Sequence, residues 1–313
     1  MQKIILAAPR GFCAGVSYAI EVVDLALRIH GPPIYVRHAI VHNEHVVRSF
    51  QQRGVVFVEQ IAEIPERSVV VFSAHGVSPD VRKQAEQRSL HVIDATCPLV
   101  TKVHREAVRY ASQNYHILYI GHRGHVEAAG TMGEAPLQMT LVDNVREAES
   151  VSPPPGRLAV LTQTTLSVDE VEKIMSVLQR RFPHLETPKK EDICYATTNR
   201  QLAVKRLAEQ CDLILVVGSK TSSNSNRLRE VAEAAGKPAF LLLEPAEIRA
   251  EWLSDYPVVG VTSGASTPEE LVQNIVGAFL SANPSAPLEV LTTVEEDVTF
   301  IPPRTLLTLA QAR

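Results

Sequence analysis

The chain opens with IILAAPRGFCAG (residues 4–15), in which an apolar run of strand length is followed by a turn and a cysteine. An amphipathic helical pattern begins directly after the cysteine. The same order recurs in HVIDATCP (residues 91–98) and in EDICYATTN (residues 191–199). Apolar runs alternate with helical patterns along the whole chain, which is typical of βα units and a parallel sheet. The three stretches predict an α/β fold built from three similar parts.

A second element also occurs three times, as VVVFSAHGVSPD (residues 69–80), LAVLTQTTLSVDE (residues 158–170) and VVGVTSGASTPEE (residues 258–270). Each copy predicts a strand, a small polar loop and the start of a helix. Ser78, Ser167 and Thr267 are the predicted helix caps, because hydroxyls at that position accept hydrogen bonds from unpaired helix amides. Polar loops at the carboxyl ends of parallel strands are where open α/β sheets bind ligands.

We therefore predict three similar lobes with parallel sheets, arranged with pseudo-threefold symmetry. The lobes comprise residues 1–97, 98–193 and 194–283, and each has the size of a usual domain. The N-terminal strand is expected to pair either within the first lobe or elsewhere. Residues 284–313 form a tail with one predicted strand, from Glu296 to Ile301.

The composition is that of a globular protein without a strong electrostatic preference. The chain has 313 residues, 45% of them hydrophobic, and a formal net charge of −4. This balance gives no general attraction to nucleic acid or to an anionic membrane. The apolar runs are too short to span a bilayer, and Pro9 and Arg10 interrupt the first one before a signal-peptide core is complete. We expect a cytoplasmic protein whose thiols stay reduced.

Three of the four cysteines occupy equivalent positions in the repeat. Cys13, Cys97 and Cys194 each precede a helix, and a helix N-terminus lowers the pKa of a thiol. In a threefold repeat they could converge on one metal centre. Structural zinc sites need four ligands and ferredoxin clusters a local set of four cysteines, so neither pattern matches. The alternative is that they are ordinary buried cysteines, as we expect for Cys211.

The second candidate set consists of polar side chains in the loops that follow strands. Its members are His42, His75 and His125, with Ser222, Ser223, Asn224 and Ser266 as the counterparts in the third part. Imidazole, hydroxyl, amide and backbone donors together suit a diphosphate, whose oxygens accept hydrogen bonds. The histidines without a recurring context are His30, His91, His104, His116 and His184.

Glu127 is the one acidic residue in the loop GHVEAAG (residues 124–130). A carboxyl group in a closed pocket has a raised pKa and can deliver a proton to a leaving hydroxyl. Thr164 and Thr165 end the matching strand and could orient Glu127 or the substrate hydroxyl. The alternative is a glutamate that merely stabilises a helix N-terminus.

Two other functions use the same residues. His42 with His45, or His122 with His125 and Glu127, could bind zinc in a hydrolase, although neither pair has the zincin spacing. A cluster-binding or phosphate-binding regulatory module without turnover is the third candidate.

The motifs resemble those of one family, the 4-hydroxy-3-methylbut-2-enyl diphosphate reductases. They occur in the order of that family and span residues 9–266. The matching segments are PRGFCAGV (9–16), VHN (41–43), SAHGV (73–77), DATCP (94–98), GHRGHVE (121–127), TQTTLS (162–167), ICYATTNR (193–200), GSK (218–220), SSNSN (222–226) and GAS (264–266).

The resemblance implies a three-lobed fold around one central [4Fe–4S] cluster per chain. Cys13, Cys97 and Cys194 would hold the cluster and leave its fourth iron without a protein ligand. The diphosphate would be bound by His42, His75, His125, Ser222, Ser223, Asn224 and Ser266. Glu127 and Thr164 would handle protons near the allylic hydroxyl, with Thr165 beside the substrate.

The implied reaction is the reductive dehydroxylation of (E)-4-hydroxy-3-methylbut-2-enyl diphosphate to isopentenyl and dimethylallyl diphosphate. It is the final step of the methylerythritol phosphate route to isoprenoids. The sequence has no flavin or nicotinamide fingerprint. Electrons are therefore expected from a partner such as a flavodoxin or ferredoxin, with no nucleic-acid or membrane partner.

Overall fold

A computed structural model describes residues 3–312 of the chain. In the first half of the chain the elements are β1 (Lys3–Ala8), α1 (Ala14–His30), β2 (Ile34–Arg37), α2 (Glu44–Gln52), β3 (Val55–Val58), β4 (Val69–Phe72), α3 (Pro79–Gln87), β5 (His91–Asp94), α4 (Pro98–Ser112), β6 (Tyr115–Ile120), α5 (Val126–Met132), β7 (Met139–Val142) and α6 (Val145–Ser150). They continue with β8 (Arg157–Thr162), α7 (Val168–Arg181), α8 (Tyr195–Ala208), β9 (Leu213–Val217), α9 (Ser223–Ala234), β10 (Ala239–Leu242), α10 (Ala250–Ser254), β11 (Val258–Ser263), α11 (Glu269–Ala282), β12 (Leu288–Thr292) and α12 (Arg304–Gln311).

The described residues form two compact units. The first unit comprises the described residues through Ala14, His42–Val46 and Tyr195–Val298. The second unit comprises Gly15–Val41, Val47–Cys194 and the described residues from Thr299 onward. The first unit contains one parallel sheet and the second contains two. The predicted α/β class with three parallel sheets is confirmed, whereas the predicted lobe boundaries stay a prediction.

The sheet of the first unit has five strands in the order β10-β9-β11-β1-β12. The N-terminal strand β1 therefore pairs outside the first predicted lobe, with Lys3 opposite Val258 on one side and Ile4 opposite Leu288 on the other. β1 and β9 are apolar along almost their whole length because both faces of a parallel sheet are covered.

The tail differs from its prediction. Its strand is β12, at the edge of the sheet, and the predicted strand from Glu296 to Ile301 is wrong, since those residues have no regular structure. Glu296 is instead held by its side chain, which forms an ion pair with Arg200 (3.0 Å).

The second unit has a four-stranded sheet, β3-β2-β4-β5, and a three-stranded sheet, β7-β6-β8. The central strand β6 packs on α4 through a core that includes Val103, Ala107 and Tyr110. This packing places α4 beside α5, the short helix that carries Glu127.

The predicted caps have mixed outcomes. Ser167 caps α7 by accepting from the Glu170 amide, as predicted. Ser78 precedes α3 without a side-chain cap bond, and Thr267 donates its hydroxyl to the Val217 carbonyl instead. Among residues 3–312, none of the helices combines the length and apolarity that a membrane crossing requires.

Candidate functional site

Two of the predicted histidines meet in the second unit. His75 lies in the loop after β4, and His125 is the N-cap of α5. Their ring centroids are 6.1 Å apart, with the rings nearly perpendicular at 84°. The loops after two strands of different sheets therefore bring two imidazoles to one place.

The His125 ring has a defined hydrogen-bonding role. Its Nδ1 accepts from the Glu127 amide (3.2 Å), which caps α5. A neutral imidazole that accepts at Nδ1 carries its hydrogen on Nε2. His125 can therefore donate from Nε2 to an anionic ligand while its other nitrogen holds the helix.

Glu127 is 2% exposed, and both of its carboxylate oxygens accept hydrogen bonds from one residue, Thr164. Its Oε1 accepts from the Thr164 amide (2.7 Å) and its Oε2 from the Thr164 hydroxyl (3.0 Å). Burial raises the pKa of Glu127 to about 7, although the two Thr164 hydrogen bonds and the nearby His104 lower it in part. A carboxyl group with this pKa holds and releases a proton near neutrality, as a general acid must.

The loop after β8 is fixed by a buried amide. The Gln163 side chain donates to the Thr165 hydroxyl (2.9 Å) and accepts from the His122 amide (3.0 Å). Gln163 is fully buried. This network sets the positions of Thr164 and Thr165 relative to the loop that begins at His122.

Two of the candidate cysteines are tied to these loops through the backbone. The Cys97 amide donates to the Ala74 carbonyl (3.0 Å), next to His75. The Cys194 amide donates to the Thr164 carbonyl (3.0 Å). The backbone of each cysteine is therefore fixed to a loop that carries a predicted site residue of the second unit.

Asp192 is a positioning residue that sequence reasoning missed. This buried carboxylate accepts from the Thr162 amide (2.9 Å) and pairs with Lys102 Nζ (2.7 Å). It joins the end of β8 to the segment that leads into Cys194. Charged residues directly precede Asp192 in the sequence. No local sequence pattern therefore distinguishes Asp192 from these neighbours.

The hydroxyl-rich loops of the first unit also meet. Ser222 caps α9 by accepting from the Ser225 amide (3.2 Å), and Ser223 and Asn224 form the first turn of this helix. The Asn224 side chain accepts from the Ala265 amide (2.9 Å). The amides of a helix N-terminus are a general anion-binding element.

His42 joins the same group of loops. Its carbonyl accepts from the Ser266 hydroxyl (3.0 Å). Next to it, the buried Asn43 accepts from the His45 and Val46 amides and so caps α2. His42, Ser266 and the start of α9 therefore belong to one hydrogen-bonded region of the first unit.

Cys13 lies in a loop that is anchored at both ends. The Cys13 amide donates to the Ala265 carbonyl (3.2 Å) and the Gly11 amide to the Ser263 hydroxyl (2.8 Å). Gly11 has φ +66°, a conformation that other residues rarely adopt. The PRGFC turn thus depends on glycine.

A buried ion pair supports this loop. Arg200 is fully buried and donates to the Gly11 carbonyl (2.8 Å) while it pairs with Glu296. The motif containing Arg200 was recognised in the sequence, but the role of Arg200 was not. No sequence signal connects it with Glu296, which lies 96 residues away.

The candidate metal ligands are thiols that form no disulfide. Cys13, Cys97 and Cys194 are half-buried, whereas Cys211 is buried in the core of the first unit, as predicted. In residues 3–312 no group of three or more His, Cys, Asp or Glu side chains has the geometry of a single-ion site. The zinc alternative therefore gains no support from the described residues.

The sequence model of the family described as LytB protein matches residues 4–280. The chain belongs to the LytB family. The curated 4-hydroxy-3-methylbut-2-enyl diphosphate reductase of Rhodopirellula baltica is 52% identical to this chain. The match covers 99% of this chain and 97% of that relative. The protein of the same name from Chromohalobacter salexigens is 51% identical, and the match covers 97% of this chain and 98% of that relative. The family resemblance predicted from the motifs is confirmed.

Solved structures agree with the LytB assignment. The E-1-hydroxy-2-methyl-but-2-enyl-4-diphosphate reductase of Plasmodium falciparum has a TM-score of 0.96 and 39% identity, covering 99% of this chain and 98% of its own. A second structure, described as (E)-4-hydroxy-3-methyl-but-2-enyl diphosphate reductase, the terminal enzyme of the non-mevalonate pathway, has a TM-score of 0.64 and 27% identity. The match to this second structure covers 90% of this chain and 100% of the chain in that structure.

Proposed function

We propose that this LytB-family chain is an oxidoreductase that converts (E)-4-hydroxy-3-methylbut-2-enyl diphosphate to isopentenyl and dimethylallyl diphosphate. The observation that carries the proposal is the near-complete match to curated reductases at about half identity. One structural relative is the terminal enzyme of the non-mevalonate pathway, and we assign the same step to this chain.

We assign Cys13, Cys97 and Cys194 as ligands of one [4Fe–4S] cluster. Their support is chemical: three half-buried thiols each stand at the N-terminal end of a helix. Helix amides stabilise thiolates and donate to cluster sulfides. When bound, such a cluster supplies one-electron transfer and Lewis acidity at the iron that lacks a protein ligand.

We assign diphosphate binding to imidazole, hydroxyl and amide donors. They are His42, His75, His125, Thr165, Ser222, Ser223, Asn224 and Ser266. Support comes from the Nε2 donor of His125, its neighbour His75 and the N-terminal turn of α9. Hydrogen bonds to phosphate oxygens are charge-assisted and hence stronger than neutral ones.

Glu127 and Thr164 are the proposed catalytic pair. The reaction breaks one C–O bond, consumes two electrons and two protons, and releases water. Glu127 gives a proton to the departing hydroxyl, because the free energy of that departure falls when water leaves in place of hydroxide. The Thr164 hydroxyl, bonded to Glu127 Oε2, orients the carboxyl and can bond the substrate hydroxyl.

The electron donor is a separate protein, such as a flavodoxin or ferredoxin. The sequence has no fingerprint of a bound flavin or nicotinamide, so electrons have to enter from outside the chain. We place the reaction in the cytoplasm, where thiols that ligate a cluster stay reduced.

The test is anaerobic purification followed by iron and acid-labile sulfide assays and a turnover assay. The assay uses the diphosphate substrate with an artificial one-electron reductant. We expect about four irons and four sulfides per chain, as the cluster type requires, and conversion to the two products. Stoichiometric zinc without sulfide would refute the proposal.

Matched cysteine variants sharpen this test. The substitutions Cys13→Ala, Cys97→Ala and Cys194→Ala are each expected to abolish turnover and to lower the cluster content. Cys211→Ala is the control, because Cys211 packs against Gly260 and Leu207 in an apolar core. Equal iron content in all four variants would contradict the ligand assignment.

A further inference from the structure

His104 is a buried histidine that the proposed mechanism does not use. It lies on α4 with 6% of its surface exposed. Its Nδ1 is 2.7 Å from Glu134 Oε1. Its Nε2 is buried and has no hydrogen-bond partner among residues 3–312. Most buried polar atoms are hydrogen-bonded, and exceptions call for a functional or solvent-mediated explanation.

The ring lies beside the helix face that carries Glu127. A Cβ atom at Gly130 would be 3.5 Å from His104 Cε1, and one at Gly76 would be 3.0 Å from its Nε2. Gly130 follows Glu127 by three residues on α5, so the two share a face of that helix. The absence of side chains at two glycines gives His104 its place next to this face, and the nearby His104 lowers the pKa of Glu127 in part.

His104 also adjoins a solvent-accessible cavity of about 260 Å³ in the second unit. His104 and Glu134 form part of its wall, together with Arg82, Thr101 and Val108. The buried His104–Glu134 pair therefore adjoins this cavity and also the helix that carries the buried Glu127 carboxyl.

Glu127 itself has almost no contact with solvent, since it is 2% exposed. In the proposed reaction it loses a proton in every turnover and has to regain one. Tyr119 is a poor source, because burial raises its pKa well above the usual value and the phenol keeps its proton. Imidazole, in contrast, gives and accepts protons near neutrality.

We propose that His104, oriented by Glu134, returns protons from the cavity to Glu127 through bound water. The imidazolium releases its Nε2 proton through water, the Glu127 carboxylate becomes a carboxylic acid, and the imidazole, whose Nδ1 hydrogen stays bonded to Glu134, regains a proton at Nε2 from water that enters from the cavity. His104 acts through Glu127 without touching the substrate, so it is a positioning residue for proton supply. This inference rests on the proposed reductase function.

Charged groups on every neighbouring element bear on this transfer. Glu134 faces His104 from the end of α5. Arg82 of α3 lines the cavity, but Asp94 pairs with it at 2.8 Å. Arg105 of α4 lines the same cavity. His75 precedes Gly76 in the loop that contacts the ring.

The experiment compares His104→Ala, which leaves room for a small base, with His104→Gln, which fills the space without exchanging protons. Both are prepared as holoenzyme and assayed anaerobically at about pH 8 with the artificial reductant. Loss of a proton-transfer group lowers rates by about 10²-fold or more, so we expect kcat to fall by that order in both variants. KM should change less than about twofold, because substrate contacts are untouched.

Imidazole provides the readout that a structural role would not change. Added imidazole should raise kcat of His104→Ala severalfold and leave His104→Gln slow. Among added azoles the rate should follow their basicity, as Brønsted behaviour requires. The control is His184→Ala, at an exposed position of the second unit. This variant should have the kcat of the parent, and added imidazole should not change it.

The two ways in which the experiment can fail are distinct. Parental kcat in His104→Ala, or a loss of kcat that no azole restores, would overturn the proton route while the reductase proposal stands. A parent protein that carries iron and sulfide but does not convert the diphosphate would overturn the proposed function, and this inference with it.

Discussion

The two compact units differ in the chemistry that their polar side chains can perform. The candidate site residues of the first unit are mostly hydroxyls, an amide and helix N-terminal amides, and its buried charge, Arg200, is neutralised by Glu296. In the second unit the candidate residues include the neighbouring imidazoles of His75 and His125 and the buried carboxyl of Glu127, whose pKa is raised to about 7. We therefore expect substitutions of the hydroxyl donors in the first unit to act on diphosphate binding and substitution of Glu127 in the second unit to act on proton transfer.

The strongest test of this division is Glu127→Gln. The amide keeps the shape of the side chain but cannot donate the proton, so kcat should fall by about 10²–10⁴-fold. Affinity for the diphosphate product should stay within about twofold, because binding is assigned to other donors. Anaerobic turnover and calorimetric titration measure the two effects.

Glu149→Gln is the control for that variant, since Glu149 is exposed on α6 of the same unit. It should match the parent in both measurements. A Glu127→Gln enzyme with parental kcat would remove the proton role from the second unit.

In the first unit, loss of the buried Arg200–Glu296 pair should act mainly on stability. Arg200→Met leaves Glu296 and the Gly11 carbonyl without their partner. Removal of one member of a buried ion pair costs about 3–5 kcal/mol of unfolding free energy. Chemical denaturation followed by circular dichroism would measure this loss, and the iron content should fall because the Cys13 loop loses its anchor.

Arg206→Met, on the exposed side of the same helix α8, is the matched control. An exposed ion pair contributes about 0–1 kcal/mol. If both variants had the same stability, the buried pair would not support the Cys13 loop.

The sequence predicted those parts of the molecule that depend on local signals. βα alternation predicted parallel sheets, and the motif loops contain Cys13, His125, Glu127 and Thr164, on which the proposed site rests. These residues could be predicted because each lies in a short motif whose neighbouring residues indicate both the turn and the chemistry of the loop.

Long-range partners could not be predicted in the same way. β1 pairs with β12, almost the whole chain away, and Glu296 reaches Arg200 through a segment without regular structure. His104 has an ordinary helical context, and only the packing of α4 on α5 reveals its position beside Glu134. Such contacts depend on which helix covers which sheet, and no local pattern encodes that choice.

A smaller effect is expected from Ser223→Ala, at the first turn of α9. Loss of one hydrogen bond to a charged oxygen costs about 1.5 kcal/mol, or roughly tenfold in affinity. KM should therefore rise by about that factor while kcat stays near the parent value. Ser281→Ala is the control, because its hydroxyl is exposed and bonds the Gly277 carbonyl within α11. A fall in kcat without a change in KM would place reaction chemistry in the first unit.

The dependence on pH should separate kcat from KM in the unmodified protein. The Glu127 pKa is raised to about 7, so its acid form is present below that pH and is lost as the pH rises through it. kcat should therefore fall from pH 7 to 8.5, approaching about tenfold per pH unit at the upper end. KM should move less than about twofold over this interval, because the hydroxyls and helix amides assigned to diphosphate binding do not titrate there.

Stability should follow the same sign as kcat. The pKa of Glu127 is higher in the folded state than the usual 4.5, so the contribution of this residue is largest at low pH and is lost as the pH rises toward 7. Thermal unfolding of the parent and of Glu127→Gln across this range would measure the difference. A parallel rise of KM with the fall of kcat would mean that one titrating group serves both binding and proton transfer, and the division between the units would then be wrong.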